Sequence, residues 1–128
     1  MYSDIVDPKI LNIFLRYMIN AARHKRLIPY YELQGIFGLD RGTVGKYAGC
    51  LGHFCYDNNY PLLNSLIVNA DNPRPSYGYD EWMLEAEVEV NWEEEMFKCF
   101  KHYHVTSTNA KHFENLTGMT KEVADWFD

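Results

Sequence analysis

The sequence predicts an α+β domain of winged-helix-like architecture: a helix-turn-helix plus a small β-hairpin, with an N-terminal helix and a C-terminal helical extension. Three observations carry this. Between Leu27 and Tyr79, two helical periodicities flank a glycine, with Leu33, Gly38 and Val44 at the spacing of a helix-turn-helix. A short continuous apolar run follows, then a loop rich in Pro and Gly. A separate amphipathic repeat precedes the block. The 128 residues read as a single domain, with 27–79 as helix-turn-helix and wing core and 80–128 as an acidic segment and helical extension.

Asp7 or Pro8 opens the first helix, since a proline in the first turn lacks only an N–H that would be unpaired there. Ile10, Leu11, Phe14, Leu15, Met18, Ile19 and Ala22 recur at three and four, so one face is apolar to about Lys25. Arg16, Arg23, Lys25 and Arg26 fall on or near the outer face and C-terminal end, where positive charge suits the helix dipole. A phosphate-contacting patch is the alternative role for them.

Tyr31 to Phe37 has helical spacing, with Leu33, Ile36 and Phe37 on one side. Gly38 stands where that helix stops, because glycine adopts a positive φ at little cost. Asp40 is a good N-cap for a helix from about Arg41 to Tyr56, with Val44, Tyr47, Cys50 or Leu51, and Phe54 facing the core. Gly42, Gly45, Gly49 and Gly52 share one face of that helix. Each costs about 1 kcal/mol of helix propensity relative to alanine, so the bare backbone implies close packing by a neighbour or a partner.

Leu62, Leu63, Leu66, Ile67 and Val68 read as a buried strand. Asn72-Pro73, Arg74-Pro75 and Gly78 then form a rigid turn, the tip of a wing, with Arg74 as its basic group. Asp80 to Glu95 holds eight acids and no Lys or Arg, and reads as an exposed segment with a solvated acidic face. Asn91 caps a helix from Trp92 to about His104, with Glu94 in capping-box position and Trp92, Met96, Phe97, Phe100 and Tyr103 toward the core. Thr108 or Asn109 caps Ala110 to Leu116, and Thr120 caps Lys121 to Phe127. Trp126 and Phe127 are expected to anchor on the body, a homodimer contact being the alternative.

An apolar fraction of 47% and an aromatic fraction of 16% exclude a disordered chain. No uninterrupted apolar run of about 18 residues is present, so no transmembrane helix is expected. The start lacks signal-peptide character. Three cysteines make no disulfide framework, and a reducing, cytoplasmic compartment is expected. The net charge of −6 is uneven: residues 1–64 carry seven Lys/Arg against five Asp/Glu, and residues 65–128 five against thirteen. The first half is therefore the one able to face nucleic acid.

Ile28-Pro29-Tyr30-Tyr31-Glu32-Leu33, Gly38, Val44-Gly45, Pro61-Leu62-Leu63, Val68-Asn69-Ala70-Asp71 and Tyr77-Gly78-Tyr79 occur in an order that resembles the DNA-binding domain of alkylguanine-DNA alkyltransferases and alkyltransferase-like proteins. The resemblance spans roughly 50 residues. It implies a winged-helix scaffold that binds the minor groove through its second helix and flips a damaged base. Tyr30 falls at the family's nucleotide-rotating tyrosine. The place of the reactive cysteine reads Leu63-Asn64-Ser65-Leu66, and that of the intercalating arginine is Gly42, with Arg41 beside it. Alkyl transfer is therefore not expected.

Other chemistry is sparse. Cys50-x-x-His53-x-Cys55 and Cys99-x-x-His102-x-His104 supply zinc-ligand types, but neither has a C-x-x-C knuckle. There is no P-loop and no G-x-G-x-x-G. No enzyme, cofactor or metal is expected. The expected function is non-enzymatic DNA binding or DNA-associated regulation, through Tyr30, Arg41, Thr43, Lys46 and Arg74. The alternative is an acidic protein-interaction or inhibitor module of phage or mobile-element type, meeting a protein partner through Asp80 to Glu95 on the same scaffold.

Overall fold

The computed structural model describes residues 6–70, 79, 82–84, 89–104 and 120–127. It is mostly helical. In chain order come α1 (Pro8–Arg23), β1 (Ile28–Pro29), α2 (Tyr30–Phe37), α3 (Arg41–Asp57), a 3-10 turn (Leu63–Leu66), β2 (Ile67–Val68), α4 (Trp92–His102) and α5 (Thr120–Phe127).

Local chemistry sets the helix starts. Asp7 accepts from the Lys9 N–H, Asp40 from the Thr43 N–H and Asn91 from the Glu94 N–H, so each of these three helices has a side-chain cap. Gly38 closes α2 in the left-handed region, at φ 65°. Asn58 ends α3, its Nδ2 donating to the Phe54 carbonyl at 2.8 Å, and Asn59 turns the chain away at φ 61°. Helices α2 and α3 are joined by Gly38, Leu39 and Asp40.

The apolar run after α3 differs from the expected strand. Residues Leu63–Leu66 form a 3-10 turn, and only Ile67–Val68 is extended. A continuous apolar run does not distinguish a strand from a buried helical turn. Asn64 and Ser65 in its middle favour local turns over a ladder. β2 pairs in parallel with β1, Ile28 against Ile67 and Pro29 against Val68. The expected wing hairpin, with Arg74 at its tip, lies outside the described residues, as does the proposed helix over Ala110 to Leu116. Residues 82–84 are helical.

The 3-10 turn is the hub. All four of its residues are buried, and α1, α3 and α4 pack around it. Helix α4 satisfies the backbone leading into and through it. Trp92 Nε1 donates to the Ser65 carbonyl at 2.6 Å, Cys99 Sγ donates to the Leu62 carbonyl at 3.4 Å, and Glu95 Oε2 accepts from the Leu62 N–H at 3.4 Å. Ser65 Oγ shares a hydrogen bond with the Tyr79 hydroxyl at 2.7 Å. Buried backbone groups need such partners, because leaving one unpaired costs about 1–3 kcal/mol.

Two apolar side chains placed on core faces by spacing alone are exposed instead: Ile36 on α2 and Phe97 on α4. Tyr30 on α2 and Cys99 on α4 are buried. Glu95, counted with the acid run, is buried and lies 3.7 Å from Lys98 Nζ. At the other end of the chain, α5 packs on α1. Trp126 stacks edge-on against Phe54, with ring centroids 5.5 Å apart, and donates from Nε1 to Asp57 at 2.9 Å. It is anchored on the body, as its size required.

Candidate nucleic-acid interface

Helix α3 turns its apolar face inward through Val44, Tyr47, Cys50, Leu51 and Phe54. Its outer face carries Arg41, Gly42, Gly45 and Lys46, all exposed. Arg41 is held at the start of that face. Its guanidinium lies 4.4 Å from the Tyr30 ring centroid and donates to Asn69 Oδ1 at 3.1 Å. The pair ties the N-terminus of α2 to the residue after β2. Tyr30 itself is buried, so it serves as the platform under Arg41 rather than as an exposed contact. Thr43 is occupied with capping: its backbone N–H and its side chain both bond Asp40, and together they hold that carboxyl below its ordinary range, the backbone bond being the larger cause. Lys46 stands exposed one turn beyond Arg41.

The basic residues at the end of α1 are partly drawn into local pairs. Arg26 bridges Glu32 at 2.9 Å, and Tyr17 donates its hydroxyl to the same carboxylate. Glu32 raises the Arg26 pKa, while burial raises that of Tyr17.

The four-glycine face divides into two halves. A Cβ on Gly52 would stand 2.5 Å from Asn64 Nδ2 and 2.6 Å from Trp82 Cζ2, and one on Gly49 would stand 3.2 Å from Trp82 Cδ1. These two glycines admit an indole and an amide against the bare helix. At Gly45 a Cβ would meet nothing within 4 Å, and at Gly42 only Asp40 Oδ1 at 3.4 Å. The inner half of the face is therefore covered from within the domain, and the outer half is open.

The open half forms one wall of a cleft of about 520 Å³. Tyr30, the Arg41–Asn69 pair, Gly45 and Gly49 of α3, and Asn64, Tyr79 and Trp82 line it. Two buried polar atoms here, Asn64 Oδ1 and Trp82 Nε1, have no hydrogen-bond partner among the described residues. The Asn64 amide has no nucleophilic chemistry to offer. The sequence carried a signal for both residues: Asn64 interrupts an apolar run, and Trp82 is a large apolar side chain amid acids.

The sulfur groups stand apart from this face. Cys50, Cys55 and Cys99 are free and buried. Burial pushes the Cys50 and Cys55 thiols up to about 12 and the Cys99 thiol well above its ordinary value. Thiols in that state are poor metal ligands and poor nucleophiles. Among the described residues no group of three or more His, Cys, Asp or Glu side chains converges on a metal-sized space. Also among them, no helix is long and apolar enough to cross a membrane.

Comparisons with protein-family models, curated proteins and solved structures give no match to this chain.

Proposed function

We propose that the protein is a non-enzymatic DNA-binding or DNA-associated regulatory protein that docks α3 against the duplex. The observation that carries this is the outer face of α3: a helix-turn-helix whose second helix exposes Arg41 and Lys46 on either side of bare backbone at Gly42 and Gly45. Bare backbone lets a phosphate–sugar chain approach the helix closely, and the flanking cations supply the electrostatic attraction. The resemblance of residues 28–79 to alkyltransferase DNA-binding domains supports the same docking. In this reading Tyr30 and Asn69 preorganise Arg41, Thr43 supports the helix start, and Arg74 adds a contact from the wing. The test is fluorescence anisotropy of labelled duplex and single-stranded DNA at low and moderate salt. Binding that weakens steeply with salt supports the proposal; no binding at low salt overturns it.

A second reading rests on α4. Phe97 is 62% exposed beside the exposed acids Glu93 and Glu94. An exposed aromatic rimmed by acids suits a basic protein partner. This surface is the one to test by pull-down if DNA does not bind.

A further inference from the structure

A second cleft, of about 480 Å³, is lined by Tyr56 and Asn59 from the end of α3 and by Glu95, Lys98 and His102 from α4. Its two charged groups are unequally solvated. Glu95 is 7% exposed, whereas the Lys98 side chain is 62% exposed. The Glu95 carboxylate is buried yet loosely held. Oε2 accepts from the Leu62 N–H at 3.4 Å, longer than the roughly 2.9 Å of an ordinary N–H···O bond. Oε1 lies 3.7 Å from Lys98 Nζ, beyond hydrogen-bond distance. Leu62 and Lys98 both line the cleft, so each carboxylate oxygen is turned to a group on its wall. Oε1 is within reach of a cation from solvent, because the ammonium of an exposed side chain already stands beside it. A buried carboxylate needs close, hydrogen-bonded compensation, and an exposed ion pair of this kind contributes little.

Two further features favour positive charge here. Helix α3 ends at this cleft, and its last turn, the negative end of its dipole, carries no basic residue. His102 brings no competing charge at neutral pH, because burial lowers its pKa. Tyr60, Pro61 and Val90 add an aromatic and apolar wall. The volume falls within the range of small-molecule sites.

We propose that this cleft binds a small primary ammonium with an apolar body, which takes the place of Lys98 at Glu95 Oε1. The ammonium donates to that oxygen at hydrogen-bond distance, which Lys98 does not reach. The body rests against Tyr60, Pro61 and Val90. With Oε2 already turned to the Leu62 N–H, one oxygen is left for the ligand, which suits a point charge better than a two-pronged guanidinium. Lys98 is then a built-in competitor, a role that sets the sign of its variant. The site lies apart from the outer face of α3 and is tested without DNA, so either reading can fail while the other stands.

The experiment is an amide-resolved NMR titration of the full, isotope-labelled chain. Phenethylammonium is the probe, methylammonium lacks the apolar body, and hydrocinnamate reverses the charge. Phenethylammonium is expected to bind with Kd below about 2 mM and to shift the amides of Asn59, Leu62 and Lys98. Methylammonium and hydrocinnamate are expected to bind about tenfold more weakly or not at all, since each loses one of the two recognised features. Glu95→Gln keeps an acceptor for the Leu62 N–H and removes the charge, and is expected to weaken phenethylammonium by about tenfold or more. Lys98→Ala removes the competitor and is expected to tighten binding about twofold to fivefold, the opposite of what a merely supporting residue would do. If Glu95→Gln fails to fold, the sign of the Lys98→Ala effect decides alone. The proposal is overturned if phenethylammonium shifts none of these amides at about 10 mM, or if the anion binds as well as the cation. It is also overturned if a folded Glu95→Gln variant binds unchanged, or if Lys98→Ala leaves binding unchanged or weakens it.

Discussion

Trp82 lies across the inner half of the α3 glycine face so closely that a Cβ on Gly52 would stand 2.6 Å from its Cζ2 atom. The same methyl would meet the Asn64 amide at 2.5 Å. Gly52→Ala must therefore shift an indole or the buried 3-10 turn. A destabilisation of about 1–3 kcal/mol is expected from such overpacking. Gly45→Ala meets nothing and gains helix propensity, so it is expected to stabilise by about 0.5–1 kcal/mol. Urea midpoints of the two variants against the parent check both signs; equal effects would mean that Trp82 does not occupy this face.

Arg41 and Lys46 differ in how they are held, which gives their variants different signatures on DNA. Each removes one cation from the proposed interface, so each is expected to reduce the slope of log affinity against log salt by about 1. Arg41→Ala also releases Tyr30 and Asn69. It is expected to reduce affinity more than Lys46→Ala at every salt concentration. Anisotropy titrations over a salt series measure slope and intercept together.

Burial governs the three thiols. With Cys50 and Cys55 pushed up to about 12, and Cys99 displaced in the same direction, almost no thiolate is present at pH 8. The folded protein is expected to be inert to a thiol-specific chromogenic disulfide and to release colour from all three cysteines once unfolded in guanidinium. Rapid labelling of a thiol in the native protein would contradict this packing.

The Asp40 cap makes the start of α3 sensitive to acid. The Thr43 backbone N–H, followed by its side chain, lowers the Asp40 pKa in the folded state. A depressed carboxyl pKa contributes stability in full above the unfolded value, about pH 4, and loses it as the pH falls through the folded value. Asp40→Asn keeps an acceptor but not the charge. The parent is expected to be the more stable of the two at pH 7, with the gap narrowing by pH 3. Denaturant midpoints at both pH values give the comparison; a constant gap would remove Asp40 as the cause.

The parts of this fold set by local chemistry are readable in the sequence. The caps Asp7, Asp40 and Asn91, and the stop at Gly38, act through groups two or three residues away, and each is where residue type and spacing place it. The parts set by long-range partners are not readable in that way. The Ser65 carbonyl of the Leu63–Leu66 turn is bonded by Trp92 of α4, 27 residues away in sequence, a partner that no local pattern announces. Phe97 satisfies a helical period yet points outward, because Glu95 and Cys99 occupy the side facing the 3-10 turn. Spacing marks the glycine face as bare but does not say what lies against it. Its partner, Trp82, has no periodic signal of its own, so the cleft it bounds emerges only in three dimensions.

The seating of α5 on α1 bears on how the chain is made. Helix α1 is synthesised well before α5, yet Val123 is buried and Trp126 covers Phe54. Until residue 127 has left the ribosome, the apolar surface they cover stays open to water and to other nascent chains. Premature termination just upstream of Thr120 would release a product bearing that uncovered patch, a natural target for chaperones and for quality-control proteases.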